Sequence, residues 1–410
     1  MRIGVVGCGY VFDIYMRTMR AHPEIEIVAL YDIDSSRLDQ VAAYYCLPKC
    51  SNYEAMLTNP LIDTVLNLTS IDSHYQVTRL ALQAGKHVYS EKPLTTNLRE
   101  SLELFEQAEV SGVQLCCAPC NLFSDSISTL IRAVNSGSIG RPLLVYAELD
   151  DNPIQHMDFE SVKSPSGADW PLLDEIMSGC TFEHVGYHLV WLCALLGPVE
   201  SVTAFSAELV ENKSAVAPGF VGTPDFSVAC LNFANGAAAR VTCSVVAPRD
   251  HRIRVIGREG EISSDGYRQY RAPVFLELFS KRTLSARKLY SLRRYPFLGR
   301  LVGIGGSRIK LNRTSKSHAV EGDFRQKRTL RDWLVELIRR KEVYSQDKFL
   351  GVALMADKLR AGGPPLLGAD FILHINELTL LIQNAGRSGA TATPATCFNH
   401  SALLTSLDHQ

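Results

Sequence analysis

Apolar residues fall in short runs along the first 120 positions, and the runs alternate with stretches of helical spacing. Residues 2–6, 24–31, 64–68, 86–90 and 113–117 are near-continuous apolar runs, as in strands buried on both faces. Between them, the residues up to about 21, then 35–45, 74–84 and 97–109, read as helices, with Gly85 as a stop signal. This alternation predicts a parallel, doubly wound sheet with helices on both faces. Further on, residues 143–149, 226–233 and 238–246 read as strands. Residues 181–196 read as a helix, with Val185, Leu189, Leu192 and Leu196 on one side and Gly197-Pro198 as its end.

The turn after the first strand adds chemistry to this pattern. Gly7 permits a tight turn, and Gly9 lets the backbone approach a pyrophosphate. The helix opening at Tyr10 and Val11 offers free N–H groups to that anion. Asp32 ends the second strand, 23 residues after Gly9. A carboxylate there accepts from a ribose 2′-OH and repels a 2′-phosphate, which favours NAD. Arg37 follows closely and keeps NADP as the alternative, unless it serves to cap or pair on its helix. Phe12 stands where the third small residue of a G-x-G-x-x-G motif lies, so the pattern is incomplete. The strand before, the helix after and the acid at the right distance carry the dinucleotide reading. The rival reading is a tight turn in an unrelated α/β domain.

Composition sets the outer limits. The 410 residues are 46% hydrophobic and 21% charged, a globular balance for two or three domains. No apolar run reaches the roughly 18 residues of a membrane span. The first residues lack the cleavage site of a signal peptide. The 11 cysteines are odd in number and scattered through apolar runs, which points to reduced thiols in a cytoplasmic protein. Cys116, Cys117 and Cys120 lie close together, but no second C-x-x-C pair completes a zinc set, and no metal is expected. The net charge of −1 gives no general bias toward nucleic acid or membrane, and neither partner is expected. The charge is uneven, however. Residues 268–341 hold 20 basic and 5 acidic side chains, and the rest of the chain carries a net −16. A basic insertion at about 281–322 follows from this. It is a solvated insertion, a phosphate-binding site or a contact for an acidic face of another subunit.

At Ser90-Glu91-Lys92-Pro93-Leu94 the chain reaches a family signature. The segment AGKHVYSEKPL, residues 84–94, resembles the strand and EKP motif of the glucose-fructose oxidoreductase / inositol dehydrogenase / MocA-like (Gfo/Idh/MocA) oxidoreductase family. The start GVVGCGY and the stretch from Thr69 to His74 are similar to that family as well. Three later anchors extend the likeness: residues 137–149, 178–202 and 369–385. The resemblance implies a Rossmann domain at 1–120 and, over 121–410, a substrate-binding and oligomerisation α+β domain. That second domain has a large, mostly antiparallel open sheet. It also implies a homodimer or homotetramer and a carbohydrate substrate held against the nicotinamide.

The resemblance further implies roles for particular residues. Tyr10, Val11, Thr69, His74 and Glu91 border the cofactor, and Lys92 touches both cofactor and substrate. Lys92 can exchange a proton with the substrate hydroxyl if its pKa is brought down toward neutrality. His188 matches the family histidine that acts as acid/base or binds the reacting hydroxyl. His184, a further catalytic and substrate candidate, stands where an aspartate is usual, and Trp191 stands where many members carry another. Glu183, next to it, points about 100° away around an ideal helix. Asn121, Asp169 and Trp170 are further substrate candidates, and Tyr187 reads as packing. The expected function is an NAD(P)-dependent oxidoreductase for a sugar, cyclitol, glycoside or nucleotide-sugar. The alternatives are a glycosidase or epimerase working by transient oxidation, and a non-catalytic dinucleotide-binding regulator.

Overall fold

Strand β1 (Arg2–Val6) is buried along almost its whole length, as its apolar run requires. The computed structural model describes residues 1–158, 161–211, 213, 222–264, 269–280, 296–301, 304–312 and 346–408. In it, β1 joins β2 (Glu26–Tyr31), β3 (Thr64–Asn67), β4 (His87–Ser90) and β5 (Leu115–Cys117) in one parallel sheet. The strand order is β2-β1-β3-β4-β5. Helices α1 (Tyr10–Met16), α2 (Ser35–Tyr45), α3 (Tyr53–Leu57), α4 (His74–Gln83) and α5 (Leu98–Val110) connect the strands. Side-chain caps fix three of the starts, and at α3 Asn52 accepts from Ala55 N–H. Asp34 accepts from the N–H groups of Ser36 and Arg37, and Asn97 accepts from Arg99 N–H. The helix expected up to residue 21 is shorter: α1 ends at Met16, and a separate 3-10 turn covers Met19–Ala21.

Helix α6 (Asp125–Asn135) leads into the second sheet, which has nine strands among the described residues. They are β6 (Pro142–Asp150), β7 (Val199–Ala207), β8 (Phe226–Phe233), β9 (Ala238–Ser244), β10 (Ile253–Gly257), β11 (Gly260–Ser264), β12 (Val274–Leu278), β13 (Ser307–Ile309) and β14 (Ala390–Ala392). The order is β13-β12-β11-β10-β6-β9-β8-β7-β14, antiparallel throughout except for β6 beside β9. Burial alternates along β6: Val145, Ala147 and Leu149 face the core. Tyr146 and Glu148 lie on the other face, where the Arg240 guanidinium stacks 4.6 Å over the Tyr146 ring.

Three helices lie ahead of β7: α7 (Leu172–Ser178), α8 (Cys180–His184) and α9 (Gly186–Leu196). The single helix expected over 181–196 is thus two segments meeting at Val185. Every residue of α9 is buried, which its apolar composition on all sides demands. After α10 (Pro296–Leu301) come α11 (Phe349–Arg360), α12 (Ala369–Gln383) and α13 (His400–Asp408). Asn376 of α12 accepts from Leu94 N–H at 3.1 Å and donates to Thr95 O at 3.2 Å, which anchors the C-terminal region to the loop after β4. Most of the basic insertion expected at 281–322 lies outside the described residues. Among the described residues, no helix is long and apolar enough to cross a membrane.

Candidate active site

The C-terminal ends of β1, β3 and β4 open on one cleft of about 250 Å³, closed on the far side by α7, α8 and α9. Gly7 sits at φ +93°, and a Cβ there would lie 2.5 Å from Leu68 O. The turn can therefore pack against the loop after β3 only with glycine. A Cβ on Gly9 would meet nothing within 4 Å, so the backbone there faces open space. Asp32 Oδ2 accepts from Cys8 N–H at 2.7 Å, and Oδ1 accepts from Asp34 N–H at 2.9 Å. Arg37 pairs with the same carboxylate, Nε lying 3.2 Å from Oδ2. An open glycine turn with a carboxylate beside it fits the pyrophosphate and ribose of a dinucleotide.

Deeper in the cleft, charges alternate. Lys92 Nζ donates to Glu183 Oε2 at 2.8 Å. Glu91 Oε1 accepts from Lys348 Nζ at 2.6 Å and from Tyr15 Oη at 3.0 Å. Lys348 Nζ also lies 3.5 Å from Tyr187 Oη. Burial works against the Glu91 charge, but Lys348 and Lys92 outweigh it and bring the carboxyl down to about 2. Burial likewise works against the Lys92 ammonium, and Glu183 reverses the balance, so its pKa is raised. The lowering toward neutrality expected for Lys92 is absent here because a carboxylate touches it.

The expected residues divide. Tyr10, Val11, Thr69, His74, Glu91, Lys92, Trp170 and His184 border the cleft. His74 cross-links two of its loops, with Nδ1 2.7 Å from Pro93 O and Nε2 3.1 Å from Thr69 O. Trp170 meets the Tyr10 ring edge-on at 4.7 Å. His188 departs from expectation. It is fully buried, its Nε2 lies 3.0 Å from Glu148 O, and its Nδ1 accepts from Trp191 Nε1 at 3.1 Å. Burial pushes its pKa down to about 4. With both ring nitrogens held by the protein, it is a neutral core histidine outside the cleft lining. Asn121 is also fully buried, donating to Tyr187 O at 2.8 Å, and Asp169 is an exposed partner of Lys163. Neither borders the cleft.

Several cleft residues escaped the sequence reading. Glu183 turns to Lys92 while His184 turns the other way, with Nε2 3.5 Å from Asp151 Oδ2. Neighbouring helix positions can both border a cleft that wraps around the helix, which the 100° argument overlooked. Tyr187, expected to pack, lines the cleft, and so does Lys348. No motif marks Lys348. Asp151, which follows the last residue of β6, lies outside the cleft lining and reaches the site through His184.

Comparison with known proteins agrees with this architecture. Residues 1–118 match the model of an oxidoreductase family with an NAD-binding Rossmann fold, and residues 127–263 match the GFO/IDH/MocA C-terminal domain. The chain belongs to the GFO/IDH/MocA oxidoreductase family. Among its relatives is myo-inositol 2-dehydrogenase of Thermotoga maritima, 27% identical over 273 residues, which is 66% of this chain and 76% of that protein. The 2,7-anhydro-N-acetylneuraminate hydratase of Escherichia coli is 23% identical over 266 residues, 64% of this chain and 67% of that one. The WlbA dehydrogenase from Bordetella pertussis, solved with NADH and UDP-GlcNAcA, shares the fold at TM-score 0.67 and 19% identity. That match covers 96% of this chain and 97% of WlbA. As a family member, the chain is an oxidoreductase with an NAD(P)-binding Rossmann domain.

Proposed function

We propose that this chain is a dehydrogenase for a carbohydrate-like polyol, with NAD as its cofactor and the substrate lodged between the cofactor and α7–α9. The observation that carries this reading is the meeting of Lys92 and His184 on the cleft that the glycine turn opens. The relatives named for inositol, a sialic acid derivative and a nucleotide-sugar support the substrate class. Gly7, Gly9 and Asp32 would hold the dinucleotide. When bound, the nicotinamide supplies the hydride chemistry. Lys92, kept as an ammonium by Glu183, donates a hydrogen bond to the substrate oxygen and stabilises negative charge building on it. His184 takes the hydroxyl proton during oxidation and returns it during reduction. Tyr187 and Lys348 offer further donors to the same space. The domain boundary is placed near residue 120. Homo-oligomers would form through the open face of the nine-stranded sheet, and native mass would count the copies.

The test is purified protein, a panel of polyols, glycosides and nucleotide-sugars, and absorbance of the reduced nicotinamide. Net reduction of added NAD names the substrate class. Product without net reduction would instead mean transient oxidation. Cofactor binding with no product from any panel member would favour the regulator. Lys92→Ala is expected to cut turnover at least about a hundredfold with cofactor binding retained. Unchanged turnover would remove Lys92 from the chemistry.

A further inference from the structure

His184 stands at a position where the family resemblance leads to an aspartate, and its own helix brings it no carboxylate of that kind. A carboxylate reaches it from another element. Asp151 directly follows β6, where its backbone N–H donates to Ser244 O at 3.0 Å. Its Oδ2 lies 3.5 Å from His184 Nε2, and its Oδ1 lies 3.4 Å from His251 Nε2. His251 is buried and oriented from its other side, because Arg249 Nε donates to its Nδ1 at 3.1 Å. A guanidinium only donates, so Nδ1 of His251 is the acceptor and Nε2 of the neutral ring carries the proton. Asp151 Oδ1 is the carboxylate oxygen beside that nitrogen. Arg249, His251, Asp151 and His184 thus form a row that ends at the cleft.

We propose that Asp151 is the positioning residue of His184, fixing its ring and tautomer for proton exchange, with His251 and Arg249 holding Asp151 in place. The proposal rests on the reading above in which His184 is the acid/base. A carboxylate facing Nε2 keeps the proton of the neutral ring there and makes Nδ1 its basic nitrogen. Nδ1 is buried at the edge of the cleft, and during oxidation the proton of a substrate hydroxyl seated against it passes there. The O–H electron pair stays with oxygen and forms the C=O bond; the hydride given up by the carbon would be accepted by a nicotinamide held at Gly7, Gly9 and Asp32. His184 is then an imidazolium beside the Asp151 carboxylate, which stabilises the ion pair. Among the described residues, the charged or titratable groups near the ring include Glu183 on its own helix, which is bound to Lys92, and His188 from α9. His188 is neutral and Glu183 is bound to Lys92, and Asp151 is the carboxylate that lies beside Nε2 of His184.

The experiment is NMR of the full-length protein labelled with ¹⁵N-histidine, the His184 signals being identified by their loss in His184→Gln. The expected wild-type spectrum shows His184 with its proton on Nε2. An Nδ1–H tautomer would overturn the proposal without any further variant. In Asp151→Asn the titration midpoint of His184 is expected to fall by about one unit or more, because the imidazolium loses its counter-charge. Asp151→Glu is expected to restore it toward wild type. The limb of the kcat/KM pH profile governed by His184 should move with the NMR midpoint, while cofactor affinity stays the same. An unmoved midpoint in Asp151→Asn would overturn the role of Asp151 alone. Full turnover in His184→Gln would instead overturn the acid/base reading, whatever the spectra show.

Discussion

Gly7 and Gly9 flank one cysteine, yet they answer to different demands. Gly7 adopts a positive φ and touches the backbone of the loop after β3. Gly7→Ala is expected to destabilise the fold by about 2 kcal/mol or more, seen as a lower denaturant midpoint. Gly9 has ordinary backbone angles and open space before it. Gly9→Val should keep the wild-type midpoint and lose dinucleotide affinity in calorimetry; unchanged affinity would mean the cofactor lies elsewhere. Asp32 takes part in both kinds of task, since it pins Cys8 N–H and presents a carboxylate where the ribose would lie. Asp32→Ala is expected to reduce the preference for NAD over NADP, and an unchanged ratio of kcat/KM values would sink the ribose assignment. At this scale, glycine spacing and a distant acid were readable because backbone sterics and local charge act within one turn. The state of Lys92 was not readable, because it depends on Glu183, 91 positions away.

Among the elements, periodicity located most strands and helices of the first sheet to within a few residues, since burial on both faces writes itself into composition. It failed where two elements share one apolar stretch. Residues 181–196 read as a single helix, and the structure divides them at Val185. It also failed for the segment entering α11, which brings Lys348 to Glu91. That segment is fastened by Asp347, whose Oδ2 lies 2.8 Å from His22 Nε2 just after the 3-10 turn that follows α1. Burial works against protonation of His22, but Asp347 and then Glu24 outweigh it, and the folded pKa is raised. The contribution to stability is therefore complete below about pH 6.5, the unfolded value. It is lost as the pH rises through the higher folded value. The stability of the wild type relative to His22→Gln should be greatest in acid and shrink toward alkaline pH. Thermal unfolding across that range checks this, and a difference that does not change with pH would rule out the charged pair.

The whole molecule is held together around its cleft by contacts that join distant parts of the chain. Asp13 of α1 is buried, and its carboxylate accepts from Tyr45 Oη, Ser164 Oγ and both the N–H and Oγ of Ser166. Gln40 of α2 donates to Ser166 O at 2.6 Å. The loop that presents Trp170 is thereby clasped to the Rossmann sheet's helices. Asp13→Ala leaves several donors without an acceptor, and it is expected to cost about 1.5–3 kcal/mol. Denaturant unfolding measures this, and an unmoved midpoint would mean the loop docks without it. The sequence by itself determined the Rossmann half, the glycine turn, Asp32, the EKP segment and the family, because each is written in local sterics, burial period or a short contiguous motif. Only the tertiary structure decided which histidine meets the cleft. His184 and His188 are equivalent in spacing, and the choice between them follows from what β6 sets beside each: the Asp151 carboxylate for one, the Glu148 carbonyl for the other. Tertiary packing likewise supplied Glu183, Tyr187, Lys348 and Asp151 to the site. Their partners lie tens to hundreds of residues away, at separations that no local pattern encodes.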